Sequence, residues 1–171
     1  MFRFLASHVA RYALAAAMTT ALLAGDQRVL AAQQPAIDTR SYRLGGIGAF
    51  AELVGAGVKK LALSAVMTSS EMDALITDAE GIATRNHALL YRESDLIVTD
   101  LFPPDVAAGK QVLVIYAGTT LDEYQALKRD RARLMASGEY TGAAREEIAR
   151  RFGRLLSYPE WKIDQLLKEA R

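Results

Sequence analysis

Apolar positions recur along this chain in two periods, and the switches between them mark the elements. From Tyr42 to Gly57, the residues Ile47, Phe50, Leu53 and Val54 fall three and four apart, the spacing of a helix face, and Gly57 stands where a C-terminal cap belongs. Leu61 to Met67 (LALSAVM) is a continuous apolar run of buried-strand length. Thr68 to Glu71 (TSSE) places a glutamate three residues after a hydroxyl, a capping box. It predicts a helix to about Arg85, with Leu75, Ile76, Ala79, Ile82 and Ala83 on one face.

Asn86 and His87 form the turn that follows, with His87 expected at the surface or capping the helix. Ala88 to Arg92 begins a second strand, which Leu96 to Val98 extends or follows with a short third. Leu101 to Gly109 carries Pro103 and Pro104 and reads as a loop. Val112 to Tyr116 (VLVIY) is the strongest strand signal in the chain.

Thr119, Thr120, Asp122 and Glu123 read as the start of a long helix to about Ala136. Its apolar stripe is Leu121, Tyr124, Leu127, Leu134 and Met135, and its other face, Lys128 to Arg133, reads as solvated. Thr141 is expected to cap a further helix with Ile148, Phe152, Leu155 and Leu156 inward. Ser157 and Glu160 match a second capping box around Pro159, before a last helix bearing Trp161, Ile163, Leu166 and Leu167.

A strand, a helix and a strand within about 30 residues normally give parallel strands joined by a right-handed crossover. The expected fold is therefore α/β: a small, mostly parallel sheet of three to four strands with flanking helices and a helical C-terminus.

The N-terminus changes the picture of where this domain works. Arg3, His8 and Arg11 precede an apolar run from Tyr12 to Ala24, with no acidic residue before Asp26. The run matches a signal-peptide core and is too short to span a bilayer. Val29 and Ala31 fit the −3 and −1 positions of a cut after Ala31, and a cut after Ala32 fits nearly as well. The expected organisation is a signal peptide over 1–31, a flexible lead-in over 32–40 and a single α/β domain with C-terminal helices over 41–171. The expected location is periplasmic or secreted, with no membrane association after cleavage.

Charge and composition then narrow the chemistry. The chain has 21 basic and 20 acidic residues, and a near-neutral balance gives no electrostatic reason to expect nucleic acid. There is no cysteine, which excludes disulfides, lipid attachment through cysteine, thiol catalysis and thiolate metal sites. Beyond the leader the only histidine is His87, so neither a multi-histidine metal site nor a dyad with a second histidine is available. No metal and no cofactor is expected. Gly46 to Ala51 matches a dinucleotide G-x-G-x-x-A turn only superficially, because the preceding Ser41 to Leu44 is too short and polar for a strand.

In open parallel sheets, ligands bind where strand carboxyl ends lead into helix N-termini. On that expectation Thr68, Ser69, Thr119 and Thr120 meet at one edge and, with Arg92, form an anion-binding set. Plain capping is the competing role for the hydroxyls. Glu93, Asp95 and Asp100 are the candidates for general acid or base, although a solvated turn with an ion pair accounts for Arg92 to Asp95 equally well. Asp100, between apolar segments, is expected to be partly buried and to have a partner.

The leading functional expectation is an exported accessory protein that binds a small polar or anionic ligand or a protein partner. The alternative is a small cofactor-independent enzyme using carboxylate chemistry. A third role is homo-oligomerisation through the C-terminal helices, anchored by Trp161.

Overall fold

The structure, a computed structural model, describes residues 37–103 and 105–170. The expected signal peptide and most of the expected lead-in lie outside the described residues. Eight elements follow one another: α1 (Thr39–Gly55), β1 (Leu61–Leu63), α2 (Ser69–Arg85), β2 (Leu89–Glu93), β3 (Val112–Tyr116), α3 (Thr120–Ala136), α4 (Gly142–Leu155) and α5 (Glu160–Glu169). They fall within one unit, Thr39–Arg171. Thr39 and Arg40, expected in the lead-in, already belong to α1.

The sheet corrects the expected topology. It has three strands in the order β1-β3-β2, and both pairings are antiparallel. β1 and β2 do run in the same direction, as a β1-α2-β2 unit requires, but they never touch, because β3 enters between them. The arrangement is a split βαβ unit. The expectation of a mostly parallel sheet failed for a reason visible in the connection from β2 to β3. A parallel neighbour needs a crossover, usually a helix, whereas an antiparallel neighbour needs only a return loop. The described residues between Glu93 and Val112 contain turns and no helix, so the chain returns antiparallel. Leu96 to Val98 form no strand.

The unbroken apolar run of β3 reports its central position and its two covered faces, not its direction. Leu113 and Ile115 join Ala62 against α1 and α2, packed with Ile47, Ala51, Val54, Met72, Leu75, Ala79 and Ala83. Val112 and Val114 join Leu61 against the other layer, with Tyr124 and Leu127 of α3, Ile148, Ala149 and Phe152 of α4, and Ile163 and Leu167 of α5. Period-2 alternation therefore divides the core into two layers of helices around one sheet.

Helix boundaries follow local chemistry. The capping box of α2 is formed: the Thr68 amide donates to Glu71 Oε2 at 2.8 Å, and the Glu71 amide donates to Thr68 Oγ1 at 3.3 Å. The other expected caps are not. Thr119 and Thr141 occupy N-cap positions without a side-chain bond, and α5 begins after Pro159, with Glu160 paired to Arg154 at 2.8 Å. At their C-termini α1, α2, α3 and α4 all close with paired 6→1 and 5→2 backbone bonds. The left-handed position is glycine after α1 and α3 (Gly57, Gly138), but His87 after α2 and Ser157 after α4. His87 is thus a helix-terminating residue. Ser157 also accepts the Lys60 amide at 2.8 Å, tying the α4–α5 corner to the approach to β1.

Candidate functional site

The antiparallel sheet separates residues that a parallel one would have gathered. Tyr116, at the end of β3, pairs with Leu61 and Leu89, the first residues of β1 and β2. Thr119 and Thr120 therefore sit at the sheet edge opposite Thr68, Ser69, Arg92 and Glu93, and the expected five-residue anion site is not assembled.

The alternation of β2 separates the rest. Arg92 pairs with Leu113 and Glu93 with Val112, so adjacent side chains enter different layers. Arg92 turns toward α2. Its Nε donates to Gln111 Oε1 at 2.6 Å, Nη1 to Asp73 Oδ1 at 2.6 Å and Nη2 to Ser69 Oγ at 3.0 Å. Every guanidinium nitrogen is thereby engaged, two in fastening β2 to α2 and Nε on Gln111 at the approach to β3. Thr68 is held in the capping box, where backbone donation from Thr68 and the Arg43 guanidinium at 2.8 Å bring the Glu71 pKa down to about 2.

Glu93 turns the other way and is buried, 3% exposed. Its Oε2 accepts the Tyr124 hydroxyl at 2.8 Å and Lys128 Nζ at 2.9 Å, and its Oε1 accepts the Asp95 amide at 2.7 Å. The Tyr124 oxygen in turn accepts the Ile97 amide at 3.3 Å. Burial, reinforced by the Glu93 charge, raises the Tyr124 pKa above the ordinary tyrosine value. Lys128 also donates to the Asp95 carbonyl, while the Asp95 side chain itself is 92% exposed. The network fixes the turn after β2 onto α3. The sequence placed Tyr124 in an apolar stripe and Lys128 on a solvated face, and neither reading carried the buried acceptor between them.

Beyond this turn the chain runs into a cleft of about 690 Å³. One wall is the 98–103 segment, and the others are Arg131 of α3, Tyr140 of the α3–α4 link, Arg145 of α4 and Leu166, Glu169 and Ala170 at the end of α5. Asp100 lies here, its side chain 26% exposed. Arg145 grips its carboxylate: Nε donates to Oδ2 at 2.8 Å and Nη2 to Oδ1. These bonds raise the Arg145 pKa further. The same pair lines a smaller adjoining cleft of about 400 Å³ with Gly142, Glu146, Leu167 and Ala170, so it stands as a partition between the two.

Arg131 is placed differently. Its guanidinium carbon lies 5.2 Å from the centre of the Tyr140 ring, within reach of a cation–π contact. Its Nε is buried with no hydrogen-bond partner, and among the described residues no carboxylate pairs with it. Sequence periodicity put Arg131 on the solvated face of α3; only the return of the chain through Tyr140 makes it a cleft residue. Arg145 carried no sequence signal beyond its charge. Among the described residues no three carboxylate or histidine side chains are grouped to hold a metal ion, and no helix is long and apolar enough to cross a membrane.

Comparison with protein-family models, with curated proteins and with solved structures finds no match to this chain.

Proposed function

We propose that this is an exported binding protein whose 98–103 cleft takes a small carboxylate-bearing molecule with an apolar body. The observation that carries the reading is Arg131: a cation on a cleft wall that no carboxylate of the described residues pairs with. A guanidinium on a cleft wall without a carboxylate beside it can take a charge-assisted, bidentate bond to a bound carboxylate. Arg145 is already neutralised by Asp100, so among the described residues of the cleft the unpaired positive charge is local to Arg131. Val98, Leu101, Phe102 and Leu166 supply apolar lining, and the volume is in the range of small-molecule sites. Export rests on the leader pattern of residues 1–31.

Catalysis by the three carboxylates is less well supported. All of Glu93's close partners are donors that fill its oxygens, Asp95 points into solvent and Asp100 is held by Arg145.

Calorimetric titration with 3-phenylpropionate and 4-methylpentanoate tests the reading, with the corresponding primary alcohols as controls. The acids should bind and the alcohols should not. Arg131→Gln should weaken the acids at least about tenfold, and Arg131→Lys should restore only part of the affinity, since a lysine cannot offer the guanidinium fork. Equal binding of acids and alcohols, or full affinity in Arg131→Gln, would refute it.

A further inference from the structure

We propose that the ligand of this cleft is a zwitterion, an α-amino acid with an apolar side chain, an inference that rests on the carboxylate reading above. Among the described residues four ionic side chains line the cleft: Asp100, Arg131, Arg145 and Glu169. Asp100 and Arg145 neutralise each other. Arg131 and Glu169 are left, opposite in sign and on the same cleft, and among the described residues neither takes part in an ion pair. Among the described residues Glu169 accepts one hydrogen bond, from Gln165 Nε2 at 2.8 Å, which leaves further lone pairs on its carboxylate.

Unlike charges that share a cleft without meeting leave a gap between them. A plain carboxylate entering that gap gains Arg131 and is repelled by Glu169. An amine gains Glu169 and is repelled by Arg131. A molecule carrying both groups turns the repulsion into a second attraction, and its side chain is left to the apolar lining of Val98, Leu101, Phe102 and Leu166. Complementary charge used in this way selects among ligands more than it adds raw affinity.

Two matched trios test the proposal by titration calorimetry on the purified protein at pH 7. One is L-phenylalanine, 3-phenylpropionate and 2-phenylethylamine; the other is L-leucine, 4-methylpentanoate and 3-methylbutylamine. In at least one trio the amino acid should bind at least about tenfold more tightly than the acid, a difference of about 1.4 kcal/mol, and the amine should bind most weakly. Glu169→Gln should bring the amino acid down to the level of the acid while leaving the acid unchanged or tighter. An acid as tight as its amino acid, or an amino acid indifferent to Glu169→Gln, overturns the zwitterion while the carboxylate site stands. Failure of acids and amino acids alike in both trios overturns both readings.

Discussion

The two faces of the sheet are covered by helices in contrasting ways. On one face, α1 and α2 meet through small residues. Ala51, Ala62, Ala79, Ala83 and Ala88 are buried there, a Cβ on Gly48 would sit 3.5 Å from Ile82, and one on Gly55 would sit 1.7 Å from the Asn86 carbonyl oxygen. Backbone lies nearly on backbone. On the other face, α3, α4 and α5 are spaced by large side chains, with the Tyr124 and Phe152 ring centres 6.1 Å apart and Phe102 edge-on to Phe152 at the same separation. That layer buries a carboxylate, a phenol and part of a lysine, and the described cleft opens beside them. Close packing of small groups leaves the first face little chemistry; the bulk and polarity of the second leave it a site.

One added carbon should affect the two faces very differently. Gly55→Ala drives a methyl group into a backbone oxygen that no rotamer change can move. It should cost at least about 3 kcal/mol in chemical denaturation, if the protein folds at all. Gly153→Ala, on α4, meets Ile163 side-chain carbons at 2.8 Å and Leu101 Cδ1 at 3.3 Å. Those atoms can turn aside, and alanine favours the helix by about 1 kcal/mol over glycine, so the net loss should be near 1 kcal/mol. Equal losses at the two positions would contradict the contrast.

A second pair of variants sharpens the polar side of it. Glu93→Ala strands the Tyr124 hydroxyl and Lys128 in the α3 layer and should cost about 2 to 3 kcal/mol, below the range for a fully buried pair because Lys128 is partly solvated. Tyr124→Phe removes one hydroxyl and should cost about 1 kcal/mol. If Glu93→Ala were neutral by denaturant titration, the network would not be what fixes the turn onto α3.

The smallest effect lies at the start of α2. Glu71 has its pKa lowered from 4.5 to about 2, so its contribution is fully present above pH 4.5 and is lost as the pH falls toward 2. NMR titration of the Glu71 side chain should show a midpoint well below those of ordinary glutamates. In Arg43→Met and Thr68→Ala that midpoint should rise. A normal midpoint in the unmodified protein would mean that the cap does not hold the carboxylate.

How far the chain could be read follows from the range over which each interaction acts. The α2 capping box spans four residues and was legible. So were the face of α4 and β3 as the most buried strand, but only half of the α1 stripe is buried, Ile47 and Val54 and not Phe50 or Leu53, and on α5 Trp161 stands exposed beside the buried Ile163 and Leu167. Strand direction was not legible, because it depends on whether the segment from 94 to 111 carries a crossover. Asp100 stood out because a carboxylate between apolar segments needs a partner, but nothing local named Arg145, 45 residues away. Arg92 and Glu93 looked like one polar group until the pleat sent them into opposite layers. Arg131 was hidden most completely, since helical spacing alone makes it one more charge on a solvated face, and its meaning comes from Tyr140 and α5 closing around it.

The binding site proposed for this protein lies in the α3–α5 layer, at Arg131. Amide chemical-shift mapping during titration with L-phenylalanine, and with 3-phenylpropionate in parallel, tests it most directly. Saturable shifts should be confined to residues 98–103, the neighbourhoods of Arg131, Tyr140 and Arg145, and residues 166–170, with α1 and α2 unmoved, and Arg131→Gln should move their midpoint to at least about tenfold higher ligand concentration. Saturable shifts centred on Ser69, Arg92 and Thr68, or on Thr119 and Thr120, with the cleft silent, would contradict it.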